Sequence, residues 1–230
     1  MAVHFLFPAG GVGSRFGASH AKQLTSIAGR TVMEWTLEAC FEADRKGRAF
    51  IGLSPDDNQG HIIASRYEML DTFPAGSERF ETVLNGLNYM LESVHPFDWV
   101  LVHDIARPCV QAVDIQRLID TVLVTQMGGI LCQPITDTVK QAQSLQAVPK
   151  TIDRSTLCAA QTPQCFRVQE LRDALDSALA AGVNVTDEAS AIEHKNQPMN
   201  LIIGSSDNIK LTHPEDAALV EFYLKQQGRI

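Results

Sequence analysis

Apolar residues fall into two alternating rhythms along the chain. Short runs at 3–7, 49–53, 99–103, 129–135 and 200–203 are mostly apolar and bounded by Gly, Pro or Asp, as expected of strands buried on both faces. Phe80, Val83, Leu84, Leu87, Met90 and Leu91 recur at i, i+3, i+4, i+7 spacing and predict a helix over 79–91. Ile115, Leu118, Ile119 and Val122 mark a second helix. Val168, Leu171, Leu175 and Leu179 mark a third, with Gly182 where a C′ residue belongs. A last helix is expected to open at Thr212-His213-Pro214-Glu215, which offers a capping box and a first-turn proline.

Strands alternating with helices predict an α/β fold, a mostly parallel Rossmann-like sheet with helices on both faces. Ligands of such sheets sit beyond the carboxyl ends of the strands. The residues after Phe7, Leu53 and His103 are therefore the first place to look for chemistry. One stretch breaks the alternation: 136–164 is rich in Thr, Gln and Lys and has little helical rhythm. It reads as a projecting β-arm of a single domain spanning 1–230. No internal repeat or low-complexity tract interrupts it.

The chain has 230 residues, 45% of them hydrophobic, and a formal net charge of −8. That is material for one sizeable core. It is a poor balance for sequence-independent nucleic-acid binding, which needs a basic face, so no nucleic-acid partner is expected. No apolar run approaches the ~20 residues of a membrane span, and no membrane partner is expected. The first residues lack a charged n-region and a small-residue cleavage site, so no signal peptide is read. Cys40, Cys109, Cys132, Cys158 and Cys165 are odd in number and none has C-x-x-C spacing. Reduced core thiols in a cytoplasmic protein are expected, rather than a disulfide framework or a structural zinc site.

The first strand runs into Pro8-Ala9-Gly10-Gly11-Val12-Gly13-Ser14-Arg15-Phe16-Gly17, with Lys22 close behind. Backbone without Cβ obstruction can take positive φ and aim several N–H groups at one anion. Without a ligand, the same glycines are a tight turn, which accounts for one or two of the four. A Walker A loop would end in Gly-Lys-Ser/Thr, but Lys22 lies between Ala21 and Gln23. In a dinucleotide fingerprint the third glycine would stand where Phe16 is found. A glycine loop followed by Arg15 and Lys22 suits a triphosphate. Asp104, at the end of an apolar strand, is placed to hold magnesium, directly or through water. It can also be a helix cap or pair with Arg107.

From Ala9-Gly10-Gly11-Val12-Gly13-Ser14-Arg15 through Lys22-Gln23, the loop resembles that of sugar-phosphate nucleotidyltransferases. More narrowly, the chain resembles the 2-C-methyl-D-erythritol 4-phosphate cytidylyltransferase family nearly end to end. Further blocks are Glu78-Arg79 with Thr82-Val83-Leu84, and Val102-His103-Asp104 with Ala106-Arg107-Pro108. Asp137-Thr138-Val139-Lys140, Asp153-Arg154 and Gln161-Thr162-Pro163-Gln164 follow. Thr186-Asp187-Glu188-Ala189-Ser190 and Asp207-Asn208-Ile209-Lys210 complete the set. Phe16, Ala21 and Ile105 depart from the family's usual Met, Pro and Ala, and none of these changes removes a charge.

The resemblance implies transfer of CMP from CTP to a sugar-alcohol phosphate, with Mg2+ or another divalent cation. It assigns Arg15 and Lys22 as catalytic cations. It places Ala9, Gly10, Gly11, Gly13, Ser14, Gly76, Ser77, Arg79, Thr82, Asp104, Ala106 and Arg107 around the nucleotide. Thr138, Lys140, Arg154, Thr162, Thr186, Asp187, Glu188 and Lys210 fall to the acceptor, with Arg154 and Lys210 on its phosphate. It also implies a homodimer in which the 136–164 arm carries Arg154 to the neighbouring site. Several of these residues have plainer explanations. Arg15 and Lys22 can be solvated loop cations, Thr82 can start a helix, and Asp187 and Glu188 can be first-turn acids. His103 is expected to be packed or hydrogen-bonded rather than a ligand.

Three rivals remain. A ribitol 5-phosphate cytidylyltransferase tends to carry Ser-Val before Arg-Pro and Ala-Cys after Thr-Asp, where this chain has Ile105-Ala106 and Glu188-Ala189-Ser190. A nicotinamide-dependent dehydrogenase lacks support in the misplaced glycine and in Ser54-Pro55, where an acid belongs. A non-catalytic nucleotide-binding module leaves the set Arg15, Lys22, Asp104, Arg154 and Lys210 without a purpose.

Overall fold

The computed structural model describes residues 1–11, 21–44, 46–142, 144 and 149–230. Gly13, Ser14 and Arg15 of the expected phosphate loop lie outside them.

Eleven strands and seven α-helices alternate along the described residues. The strands are β1 (Val3–Pro8), β2 (Ser26–Ile27), β3 (Arg30–Thr31), β4 (Ala49–Leu53), β5 (Leu70–Pro74), β6 (Trp99–Val102), β7 (Gly129–Pro134), β8 (Val139–Gln141), β9 (Lys150–Ile152), β10 (Cys158–Arg167) and β11 (Asn200–Ile203). The helices are α1 (Val32–Ala43), α2 (Asn58–Ala64), α3 (Arg79–Leu91), α4 (Ala112–Thr125), α5 (Val168–Ala180), α6 (Glu188–His194) and α7 (Asp216–Gln226).

Seven strands form one sheet in the order β11-β7-β10-β6-β1-β4-β5. Every pairing is parallel except those of β10, which runs antiparallel between β6 and β7. β8 and β9 pair with each other outside this sheet, in the stretch of chain that links β7 to β10. The last residues of the 136–164 span belong to β10, and so to the central sheet.

Side-chain alternation along β1 divides the core. Phe5 and Phe7 pack with Met33 and Leu37 of α1 and Ile115 and Leu118 of α4. Leu6 packs on the other face with Val83 and Leu87 of α3 and Leu171 of α5. A third, smaller cluster joins Trp35, Ala106, Cys109 and Leu211 to Val220 and Leu224 of α7.

Local chemistry sets the helix ends. Thr31 and Glu34 form a capping box that opens α1. Gly182, at φ +68°, follows α5 as expected. The start of α7 differs from the expectation. The Asp216 carboxylate, not the Thr212 hydroxyl, gathers the free N–H groups of Thr212 and His213, both at 2.8 Å. The helix N-cap is therefore Glu215 rather than Thr212, three residues later than expected. Among the cysteines, Cys40, Cys109, Cys132 and Cys165 are buried as expected, whereas Cys158 is exposed on β10.

Candidate active site

The carboxyl ends of β1, β5 and β6 open onto a cavity of about 280 Å3. Ala9, Gly10, Gly11 and Lys22 line it from the first loop, and Gly76, Ser77, Arg79 and Thr82 from the start of α3. Asp104 and Ala106 line it from the loop after β6, and Lys210 from the loop after β11. Glycine is required at position 10 for a different reason from the one expected. The positive-φ glycines among the described residues are Gly29, Gly182 and Gly228. A Cβ at Gly10 would instead lie 2.1 Å from the Ala75 Cβ, so the residue permits close approach of two loops. Gly76 is equally confined: its Cβ would meet the Glu81 Cβ at 2.5 Å. Thr82 both belongs to the first turn of α3 and braces this loop, since its hydroxyl accepts the Gly76 N–H at 3.0 Å.

A second cavity of about 240 Å3 adjoins the first. Arg79, Asp104 and Lys210 line both. Arg107, Thr162, Thr186 and Asp187 line the second alone. At the shared wall stands a linked ionic cluster. Arg79 Nε donates to Asp104 Oδ1 at 2.8 Å, and its two Nη atoms grip the Glu188 carboxylate at 2.7 and 3.1 Å. Lys210 Nζ lies 2.7 Å from Asp104 Oδ2, and Arg107 Nε lies 3.6 Å from the same oxygen. Three cations thus face two carboxylates, and the cluster carries one surplus positive charge.

Burial disfavours the ionised form of Asp104, but Arg79, Lys210 and Arg107 outweigh it and hold the carboxyl well below the usual carboxylate range. Burial also works against the Arg79 charge, yet Glu188 and Asp104 raise its pKa further above the ordinary value. For Arg107 the balance reverses, and burial lowers its pKa despite Asp104.

Behind this cluster is a network of neutral polar groups. The Thr162 hydroxyl accepts the Asp104 N–H at 3.1 Å and shares a hydrogen bond with His103 Nδ1 at 2.9 Å. Burial pushes the His103 imidazole down to about 3, so the ring stays neutral near pH 7. It is a packed, hydrogen-bonded histidine, as expected.

Several contributors to the site were not among the residues expected from the sequence. Gln164 donates to Asp187 Oδ2 at 2.8 Å and accepts the Ala189 N–H at 2.8 Å, which ties β10 to the start of α6. Asn208, fully buried, donates to Thr162 O at 2.8 Å, and its main-chain carbonyl accepts Arg107 Nη1 at 2.7 Å. Gln23 Nε2 fixes Ala9 O at 3.0 Å. These amides fell inside or beside the motif blocks, but amide burial leaves no periodic trace in a sequence.

The arm residues stand apart. Thr138, Lys140 and Arg154 are absent from the lining of both cavities. Lys140 Nζ bonds Thr151 Oγ1 at 2.6 Å across the β8–β9 pair, and Arg154 Nη1 bonds Thr136 O. A larger open groove of about 930 Å3 lies between α1, α4 and the residues after α7. None of the expected site residues lines it.

Comparison with known proteins gives a consistent result. A family model described as "IspD: 2-C-methyl-D-erythritol 4-phosphate cytidylyltransferase" matches residues 3–226. The chain is 42% identical over 221 residues to the protein of that name from Vibrio vulnificus (strain CMCP6), covering 96% of this chain and 93% of that one. It is 44% identical over 219 residues to that of Haemophilus influenzae (strain PittEE), covering 95% of each. Among solved structures, a 4-diphosphocytidyl-2C-methyl-D-erythritol synthase superposes with a TM-score of 0.83 at 35% identity, covering 97% and 98% of the two chains. The 2-C-methyl-D-erythritol 4-phosphate cytidylyltransferase of Thermus thermophilus does so with 0.79 at 27% identity, covering 100% of both.

Proposed function

The chain belongs to the 2-C-methyl-D-erythritol 4-phosphate cytidylyltransferase family, and from that premise we propose that the two adjoining cavities are where it carries out the family's reaction. The enzyme transfers CMP from CTP to 2-C-methyl-D-erythritol 4-phosphate in non-mevalonate isoprenoid biosynthesis. The products are 4-diphosphocytidyl-2-C-methyl-D-erythritol and pyrophosphate. A phosphate oxygen of the acceptor attacks the α-phosphorus of CTP, a new P–O bond forms, and the bond to the bridging oxygen of pyrophosphate breaks. The nucleophile is already an anion, because the second phosphate pKa is ~6. No general base is needed, and neutral, buried His103 is not one. Catalysis is then positioning and charge stabilisation.

The observation that carries the site assignment is the cationic surplus at the wall between the cavities. Such a wall suits two phosphate groups brought together from opposite sides. CTP occupies the cavity lined by Ala9, Gly10, Gly11, Gly76, Ser77, Thr82 and Ala106. Lys22 and Arg15 offset charge at the α-phosphorus and on the departing pyrophosphate. The acceptor occupies the cavity lined by Thr162, Thr186 and Asp187, with its phosphate toward Lys210 and Arg107.

Asp104 fits a divalent cation of the magnesium type. It is a single carboxylate, ionised by its neighbours, at the mouth of a phosphate site, and Mg2+ takes one or two carboxylates plus phosphates and water. Both of its oxygens are engaged by Arg79 and Lys210, so Asp104 would hold the ion either through water or by sharing an oxygen with these cations. The ion would supply charge neutralisation on the triphosphate.

The arm, the part of 136–164 that precedes β10, pairs with a second copy and delivers Arg154 to that copy's acceptor cavity. The exposed position of Thr138, Lys140 and Arg154, away from the cavities of their own chain, supports this. Mixing Arg154→Ala with Lys22→Ala protein, each nearly inactive alone, should then restore activity through hybrid dimers. Persistent inactivity in a mixture shown to exchange subunits rejects the shared site.

Pyrophosphate release measured with CTP, Mg2+ and the acceptor tests the whole assignment. Ribitol 5-phosphate serves as the competing acceptor, and faster turnover with it would overturn the choice of substrate.

A further inference from the structure

The loop carrying Asp104 and Arg107 and the loop carrying Lys210 come from strands on opposite sides of β10. Their relative position is set by few groups: Leu211 N donates to Ala106 O at 2.8 Å, and Arg107 Nη1 reaches Asn208 O. A second set of ties comes from the residues around and after α7, which packs beside these loops. Gln227 Nε2 donates to Cys109 O at 2.9 Å and to Asp207 Oδ2 at 2.8 Å, which bridges the two loops with one amide. Gln111 Nε2 adds a bond to the same Asp207 oxygen at 2.9 Å. Arg229 holds Pro108 O with Nη1 and Trp35 O with Nη2, each at 2.6 Å.

The turn after α7 makes this possible. Gly228 adopts φ +68°, and Arg229 N returns to Leu224 O at 3.0 Å, which swings the Arg229 side chain back against the loops. None of these side chains lines either cavity of the site.

We propose that Gln227, with Gln111 and Arg229 in support, is a positioning residue that fixes the Asp207–Lys210 loop against the Arg107–Cys109 loop and so sets where Lys210 stands in the acceptor cavity. This rests on the acceptor role of Lys210 argued above. Asp207 is three residues before Lys210, and its carboxylate is anchored by Gln227 and Gln111. Without the Gln227 amide the carboxylate keeps one donor, and the loop gains freedom at the point from which the Lys210 side chain is aimed. Among the described residues no hydrogen bond joins Gln227 to the glycine loop or the start of α3, so of the nucleotide cavity only the wall shared with the acceptor cavity, where Lys210 stands, feels the change.

The test is initial-rate kinetics on the full-length Gln227→Ala variant, with each substrate varied in turn and pyrophosphate release as the signal. KM for the acceptor is expected to rise about 5–10-fold and KM for CTP to change less than about 2-fold. Gln111→Ala, which removes one bond to Asp207, should give a smaller change of the same sign. In a Lys210→Ala background, Gln227→Ala should change the acceptor KM less than about 2-fold, because residues acting through one group are non-additive. A merely structural role would raise both KM values together or persist in that background, and either result overturns the inference. A normal acceptor KM in both single glutamine variants overturns it as well. If Lys210→Ala itself leaves the acceptor KM unchanged, the assignment of Lys210 fails and takes this inference with it. If Lys210→Ala raises it and Gln227→Ala does not, only the positioning role is lost.

Discussion

Glu188 is the most buried charge of the site, 1% exposed, and its ionic partner among the described residues is Arg79. The perturbation that isolates it is Glu188→Gln, which keeps the shape and removes the charge. Breaking a fully buried pair costs about 3–5 kcal/mol, chiefly because the abandoned charge stays desolvated. Here the abandoned guanidinium keeps Asp104 at 2.8 Å, and its side chain is 28% exposed. The glutamine carbonyl can still accept one N–H. The cost is therefore set below that range, at about 2–3 kcal/mol.

For a chain of this length that is a fall in Tm of about 5–10 °C, and a urea midpoint lower by about 1 M with an unchanged m-value. The substitution also raises the surplus of the ionic cluster from one positive charge to two. Inorganic phosphate in the millimolar range should consequently stabilise the variant more than the parent, through linkage. Chemical denaturation with and without phosphate measures both effects. A loss under about 0.5 kcal/mol, the scale of an ordinary surface change, would refute the view that Arg79 depends on Glu188. Equal stabilisation of both proteins by phosphate would refute the charge count.

Lys22→Ala is expected to lower kcat by about 100-fold or more, comparable to losing an oxyanion-hole donor; near-normal turnover would exclude its role. Thr162→Val leaves the buried Asp104 N–H and His103 Nδ1 without their shared partner and should cost about 1–3 kcal/mol in urea unfolding. His103 titrates near its ordinary 6.5 when unfolded and at about 3 when folded. The unfolded chain thus binds the proton first, and stability present above pH 6.5 is lost progressively as pH falls toward 3. His103→Gln should flatten the slope of unfolding free energy between about pH 6 and 4 by up to about 1.4 kcal/mol per pH unit. An unchanged slope counts against a buried neutral imidazole.

What could and could not be seen in the sequence follows from the same physics. Strand β4, buried throughout, and the amphipathic helix α3 have the limits expected from apolar pattern alone; β11 has the expected limits too, but it is an edge strand with Leu201 and Ile203 exposed rather than one buried on both faces. Helix α1 escaped notice. Val32, Met33, Trp35, Thr36, Leu37, Ala39, Cys40 and Phe41 are all buried, and the polar face is only the narrow stripe of Glu34, Glu38 and Glu42, so the amphipathic period is weak. Strand β5 lies at the sheet edge with alternating exposure and ends in Pro74, a weak signal over five residues.

The most instructive omission is β10. Gln161, Thr162, Pro163 and Gln164 make it look like part of a polar excursion, yet it sits inside the sheet and three of these four are buried polar residues. The register of β10 against β7 slips between Ala160 and Gln164, which frees this stretch from regular pairing. Thr162 then turns to Asp104 and His103, and Gln164 to Asp187 and Ala189. The polarity that hid the strand is what the site uses. A strand built of apolar residues here would have been legible, but it would have left the N–H groups of Asp104 and Ala189 without partners. Local propensity was sacrificed where function required buried hydrogen-bonding groups, and sequence reasoning fails at such a place for a physical cause.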